Sequence, residues 1–263
     1  MDIEKHKQIF EFLKDSLLAI ERNKPLSYKD GEDWEGLTYK DALEIIKRWL
    51  TVINDGFPGF NKSAICTALD FQLKDLILEN EISRYEARSA EAGFTVGKLG
   101  DFLICCDIAK WLRSKRLLRL IEDFRKKFEN ELPEITQNEI ADALEEPDNL
   151  DSLMPRTPEM IFEALVDDLE KITRSKSADD ISCREAAKMM VRWVNVGKRN
   201  IEDVVCYRLR ELLEVSPKET KRSDFKEFEM CCEMASVFSS VEAYNLIKEF
   251  QEKHSGKEDK CPE

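Results

Sequence analysis

One stretch of the chain occurs twice. IFEFLKDSLLAIERNK, which begins at Ile9, is matched by IFEALVDDLEKITRSK, which begins at Ile161, and nine of the sixteen positions are identical. Average residue usage gives about one identity by chance over that length. The sequence therefore predicts two copies of one ancestral unit, and any fold of this chain has to satisfy the same pattern twice.

The similarity continues in the same order along both halves. The further matched segments are 38–50 with 182–194, 70–77 with 206–213, and 101–127 with 227–253. The first copy is longer only at joints between these segments, which is where loops tolerate insertions. The duplication therefore covers most of the chain.

The spacing of apolar residues predicts helices. Phe10, Leu13, Leu17 and Ile20 follow the three-then-four spacing of one helix face, and no strand-like alternation of useful length appears. Glycine and proline together number only 17 of 263 residues, which is typical of a helical protein. We expect an all-α fold made of two tandem copies of a roughly five-helix module packed as a pseudo-dimer. A continuous α-superhelix is the alternative.

Boundaries follow from the repeat and from composition. We expect the first module at 1–130, an acidic linker with a short helix at 131–157, the second module at 158–254 and a flexible tail at 255–263. From Glu129 to Asp151 the chain carries nine carboxylates and no lysine or arginine.

Helix-start signals refine these boundaries. Thr157 before Pro158 predicts an N-cap followed by proline in the first turn. Capping-box spacings predict further helix starts, at Thr136 with Glu139 and at Ser239 with Glu242. The last segment of each copy is expected to split into two helices at Ser114 and at Ser240.

The chain shows no sign of secretion or membrane insertion. Its first residues, MDIEKHKQIF, contain no apolar signal core, and no window approaches eighteen uncharged apolar residues. The eight cysteines lie inside helical patterns rather than at the spacings of a disulfide framework. We expect a cytoplasmic or nuclear protein with no membrane contact.

A pair of adjacent cysteines occurs in both copies, as Cys105 and Cys106 and as Cys231 and Cys232. Neighbouring positions on a helix point about 100° apart, so one pair cannot chelate a metal without other ligands. Free cysteine behaves as a small buried apolar residue, and we interpret the pairs as packing. A redox or metal-responsive site, formed if the two pairs meet, is the alternative.

An Arg-Trp pair is also shared by both copies. Trp49 follows Arg48, and Trp193 follows Arg192. We expect both tryptophans to be structural core anchors with the arginine stems beside them. A paired aromatic binding surface is the alternative.

The usual catalytic groups are missing. The only two histidines, His6 and His254, lie near the ends and are poorly placed for acid–base chemistry. GFTVGKLGD, from Gly93, is one residue short of a phosphate-binding loop and lacks its serine or threonine. Carboxylate pairs such as Glu211 with Glu214 are expected by chance among 54 acidic residues. We expect no cofactor, no metal site and no catalytic residue.

The two copies differ most in charge. Segment 110–127 is strongly basic, whereas its counterpart 236–253 has two lysines against three glutamates. The basic residues are Lys110, Arg113, Lys115, Arg116, Arg119, Arg125, Lys126 and Lys127. They form a solvated face, a clamp for the acidic linker, or a binding surface for an anionic partner.

Three functions fit these patterns. The favoured one is a non-enzymatic protein–protein interaction or adaptor protein, in which the two copies pair with each other and the basic helix contacts a protein partner. The alternative is a nucleic-acid-associated factor that binds through 110–127 only, because the net charge of −13 opposes wider phosphate contact. The third is a magnesium-dependent helical enzyme acting on a phosphorylated small molecule.

Overall fold

The computed structural model describes residues 3–26, 36–51, 61–87, 96–128, 132, 134–145, 157–174 and 180–254, and every structural statement below concerns these residues. They form ten helices and no strand, which confirms the predicted all-α class. The predicted tail and residues 93–95 of the segment GFTVGKLGD lie outside them, whereas residues 96–101 of that segment form the start of a helix. The helices are α1 (Ile3–Glu21), α2 (Tyr39–Thr51), α3 (Asn61–Ala87), α4 (Val96–Leu112), α5 (Lys115–Phe128), α6 (Glu134–Leu144), α7 (Pro158–Arg174), α8 (Cys183–Glu214), α9 (Arg222–Phe238) and α10 (Val241–His254).

The predicted start of α7 is confirmed. Pro158 is its first residue, and the Thr157 hydroxyl accepts a hydrogen bond from the backbone N–H of Met160 at 3.3 Å. This side-chain oxygen satisfies one of the N–H groups that the first turn of a helix leaves without a partner. The predicted capping box at Thr136 is wrong, because α6 already begins at Glu134 and Thr136 lies buried within it.

The predicted breaks at Ser114 and Ser240 are confirmed, since each separates two helices. The capping box at Ser239 is wrong by one residue. Ser239 has a φ of 58° and ends α9 in the left-handed conformation, so the Ser240 hydroxyl accepts from the N–H of Ala243 instead. Arg113 has the same left-handed conformation before Ser114, with a φ of 51°.

Helix α8 joins two segments that the sequence pattern separates, 182–194 and 206–213. The two parts meet at a kink at Gly197, whose φ of 77° and ψ of 154° are adopted almost only by glycine. The start of α8 is fixed by a reciprocal pair of hydrogen bonds between Ser182 and Glu185. The kinked helix packs on α7, α9 and α10 and also on α1, α2, α3 and α4.

The helices of the two sequence halves interlock. α2 packs on α7, α8 and α9, and α8 packs on α1 and α4 as well as on its own neighbours. The indole N–H of Trp111 donates to the carbonyl of Arg184 at 3.2 Å, and the N–H of Cys183 donates to Glu21 at 3.3 Å. One apolar core therefore extends from Ile9 to Ile247.

None of the described helices is both long enough and apolar enough to cross a lipid bilayer. The internal duplication stays a prediction from the sequence.

Candidate functional site

Helix α5 carries most of the basic segment and is strongly amphipathic. Its buried residues recur at four, three and four positions, which places them on one face of the helix. They are Leu117, Ile121, Phe124 and Phe128. This face packs on α3, α4 and α6, and the ring of Phe124 stacks on that of Phe102 with centroids 4.0 Å apart. The helix is therefore held rigidly against the core.

The opposite side of α5 presents cations to solvent. We call this side the basic face; its residues are Lys115, Arg116, Arg119, Lys126 and Lys127, all of them exposed. At 100° per residue they lie within about one third of the helix circumference. The sequence prediction of a basic surface therefore corresponds to this face alone.

Three basic residues of α5 have partners inside the protein. Arg116 pairs with the buried carboxylate of Asp70 at 2.6 Å. Arg125 and Lys126 both pair with Glu122, at 3.0 and 3.3 Å. The hydrogen bond from Arg125 is the main cause of a lowered pKa for Glu122.

Two cations are different. Lys115 and Arg119 lie four residues apart, and neither forms a hydrogen bond or ion pair with another described residue. A separation of four residues on one helix corresponds to about 6 Å along its axis. Both charges are therefore available to a partner without breaking an internal contact.

The prediction that Lys110 belongs to this surface is wrong. Lys110 lies at the end of α4 and is 8% exposed. Its ammonium group donates to the carboxylate of Asp142 at 3.0 Å and to the carbonyl of the same residue at 2.8 Å. A charge this deeply buried requires a partner, and Asp142 supplies it. Arg113 lies in the turn after α4 rather than on the basic face.

The contact of Lys110 with Asp142 belongs to a larger network. Asp142 also pairs with Arg184 of α8, which in turn pairs with Asp107 of α4 at 2.8 Å. Burial raises the pKa of Asp107, while Arg184 acts in the opposite direction. Asp142 belongs to α6, in the acidic linker, so the linker does fold back onto the basic segment. In the described part of the linker, the ion pair with this segment is the one between Asp142 and Lys110.

The cysteine pairs lie in the core. Cys105, Cys106 and Cys231 are buried, Cys232 is half-buried, and all four are free thiols. Burial raises the pKa of every one of them, to about 11 for Cys232. Thiols of raised pKa are poor nucleophiles and poor metal ligands at neutral pH, which supports the packing interpretation.

Both tryptophans of the shared Arg-Trp pairs are fully buried. Their arginines differ, because Arg48 is exposed whereas Arg192 donates to Asp168 at 2.9 Å. Burial raises the pKa of Asp168 to about 7, although Arg192 acts in the opposite direction. Trp49 and Trp193 are thus placed as core anchors rather than as a binding surface.

The histidines are better enclosed than their positions in the sequence suggest. His6 is buried and stacks on Phe71 with centroids 5.5 Å apart. His254 is buried against Phe250, and its Nε2 lies 3.1 Å from the hydroxyl of Thr220. Both rings lie near the chain ends but inside the packed body.

Among the described residues, no three histidine, cysteine, aspartate or glutamate side chains come together as a group that could hold a metal ion. Comparisons of the chain with models of known protein families, with curated proteins and with solved structures give no match.

Proposed function

We propose that the protein is a non-enzymatic interaction protein that binds an acidic segment of a protein partner through the basic face of α5. The observation that carries this proposal is the state of Lys115 and Arg119. They are exposed, one turn apart and unpaired within the described part of the chain. Charge-assisted hydrogen bonds from such groups to carboxylates are stronger than those between neutral groups.

The packing of α5 adds to this argument. Because the opposite face is buried against three other helices, the cations are displayed on a backbone that has little freedom to lose on binding. The pairing of Arg116 with buried Asp70 fixes the start of the same helix. Preorganisation of this kind favours a binding surface over a merely solvated one.

The net charge favours a protein partner over nucleic acid. The chain carries −13 overall, so most of its surface repels a phosphate backbone, and the basic face is only as long as one helix of about 21 Å. A protein segment with a few carboxylates needs no wider contact. Nucleic acid is the alternative partner, and the experiment below distinguishes it from an acidic protein segment.

The test uses Lys115→Glu with Arg119→Glu in one protein. The matched control is Arg199→Glu with Lys248→Glu, which reverses two exposed cations outside the basic face. Each protein is titrated into a fluorescein-labelled glutamate-rich peptide and, separately, into a labelled DNA duplex and a labelled RNA hairpin. Anisotropy gives the affinities.

We expect the α5 variant to bind the acidic peptide at least about tenfold more weakly than the native protein, which corresponds to about 1.4 kcal/mol. The control variant should lose less than about twofold from its changed net charge. Equal losses would remove the proposal. Tighter binding of either nucleic acid than of the peptide, abolished by the α5 variant, would favour the nucleic-acid alternative.

A further inference from the structure

Helices α7, α8 and α9 enclose a groove with a cavity of about 210 Å³. Its floor is apolar and consists of the buried ring of Phe162 and the half-buried side chain of Val166. Tyr207 and Arg208 of α8 form one wall. Nothing in the sequence pattern singles out this groove, because its lining comes from three different helices and the pattern does not specify how they pack.

Carboxylates surround the groove. They are Glu159, Glu163, Asp167, Glu211 and Glu227. Among the described residues that line the groove, Arg208 is the one cation. Its guanidinium donates to Glu211 and Glu227, at 2.7 Å in each case. Glu159 accepts a hydrogen bond from Tyr207. Glu163 and Asp167 form no hydrogen bond or ion pair with another described residue.

The floor of the groove already contacts one cationic group. The guanidinium carbon of Arg208 lies 6.0 Å from the centre of the Phe162 ring. A cation at that distance from an aromatic face is attracted by the ring quadrupole. The groove thus combines an apolar floor, an aromatic face and an excess of negative charge.

Three carboxylates form a line along α7. Glu159, Glu163 and Asp167 are spaced by four residues, which corresponds to about 6 Å between neighbours. Cations spaced by four residues on a second helix have the same separation, so they can face these carboxylates in register. Met160, one turn from Glu163, is 49% exposed and adds an apolar contact beside the line.

We infer that this groove binds a basic amphipathic helix from a protein partner, with its apolar residues against Phe162 and Val166 and its lysines or arginines facing the α7 carboxylates. Helix-in-groove binding uses apolar anchors at three- and four-residue spacing, and the floor supplies their site. The net charge of −13 also attracts a basic segment at a distance. This surface is separate from the basic face of α5 and has the opposite charge, so either proposal stands if the other fails.

The probe is a synthetic sixteen-residue peptide with lysine or arginine at every fourth position and leucines on the adjoining face. A second peptide of the same charge has serine in place of each leucine. Binding of the labelled peptides is measured by anisotropy with the full chain. The groove variant is Glu163→Lys with Asp167→Lys.

The chain offers a matched control. Glu229 and Glu233 of α9 are also exposed carboxylates four residues apart, and they lie outside the groove. Glu229→Lys with Glu233→Lys therefore makes the same change in net charge at the same spacing. The thermal unfolding of both variants is compared with that of the native protein to confirm that each is folded.

We expect the groove variant to bind the leucine peptide at least about tenfold more weakly and the control variant less than about twofold. The serine peptide should bind at least about tenfold more weakly than the leucine peptide to the native protein. Equal losses in the two variants, or equal affinities for the two peptides, would show general attraction to negative charge and overturn the inference.

Two further measurements address other occupants. Sedimentation equilibrium of the native protein alone would reveal a second copy in the groove if self-association occurs and the groove variant abolishes it. In the second measurement, choline or spermidine is added at a concentration close to that of the leucine peptide. Displacement of the peptide would indicate a site for small cations. Either result would overturn the inference, whereas a monomeric protein whose peptide resists displacement supports it.

Discussion

Arg184 of α8 donates to Asp107 of α4 at 2.8 Å and joins the two sequence halves. Removing the cation leaves Asp107 buried without its partner, and the cost of such a change exceeds the loss of a surface ion pair. We predict that Arg184→Met lowers the free energy of unfolding by about 1–3 kcal/mol, less than for a fully buried pair because Arg184 is partly exposed. Urea unfolding measures this.

The control for that prediction is Lys198→Met. Lys198 pairs with Glu202 on the same helix, 3.6 Å away, and is exposed. Its loss should change the free energy of unfolding by less than about 0.5 kcal/mol. Equal effects of the two substitutions would contradict a role for Arg184 in joining the halves.

The buried carboxylate of Asp168 predicts a dependence of stability on pH. Its pKa is about 7 in the folded protein and 3.8 as the ordinary value, so the folded state holds the extra proton between these limits. The protonated carboxyl group therefore makes its full contribution to the free energy of unfolding below about pH 4. This contribution is lost as the pH rises through 7, by up to about 4 kcal/mol. Asp168→Asn should flatten this part of the profile.

Thermal or urea unfolding at several pH values between 4 and 8 gives the slope. Asp123→Asn, which changes an exposed carboxylate of α5, is the control and should keep the native slope. If Asp168→Asn also kept the native slope, the Asp168 carboxyl group would be ionised throughout this range, which would contradict a pKa raised by burial.

Gly197 provides a test of the kink in α8. Its φ of 77° strains any residue with a Cβ, and Gly197→Ala should lower the free energy of unfolding by about 1–3 kcal/mol. Gly100 lies inside α4 with open space at the position of a Cβ, so Gly100→Ala should raise the free energy of unfolding by up to about 1 kcal/mol. Effects of the same sign would show that the kink needs no glycine.

The cysteine pairs predict slow thiol chemistry. Cys105, Cys106 and Cys231 are buried with raised pKa values, so an alkylating reagent should reach them only at the rate of global unfolding. Half-buried Cys232 should react earlier. Mass mapping of labelled peptides with and without urea distinguishes the sites. Rapid labelling of either adjacent pair in the native protein would contradict their burial.

Much of the fold could be predicted because it depends on short-range patterns. The spacing of Leu117, Ile121 and Phe124 determines which side of α5 is buried, and Thr157 with Pro158 marks the start of α7. The fully buried Trp193 likewise follows from the general tendency of such residues to pack in cores.

The other features depend on tertiary contacts or backbone conformations that the residue pattern does not specify. Lys110 looks like a surface cation in sequence, and only the approach of Asp142, 32 residues later, explains its burial. The groove near Phe162 requires α7, α8 and α9 to meet, which no local pattern specifies. At Ser239, a single residue in the left-handed conformation moved the helix cap to Ser240.

The most direct test of the proposed function is to map where an acidic ligand contacts the protein. Amide ¹H–¹⁵N spectra of the native protein, recorded during titration with the glutamate-rich peptide, report the affected residues. Binding at the basic face predicts saturable changes in amide chemical shift concentrated at 114–127. These changes should be absent in the variant with Lys115→Glu and Arg119→Glu. Chemical shift changes confined to other helices, or no saturable changes at all, would contradict the proposal that the basic face binds an acidic segment.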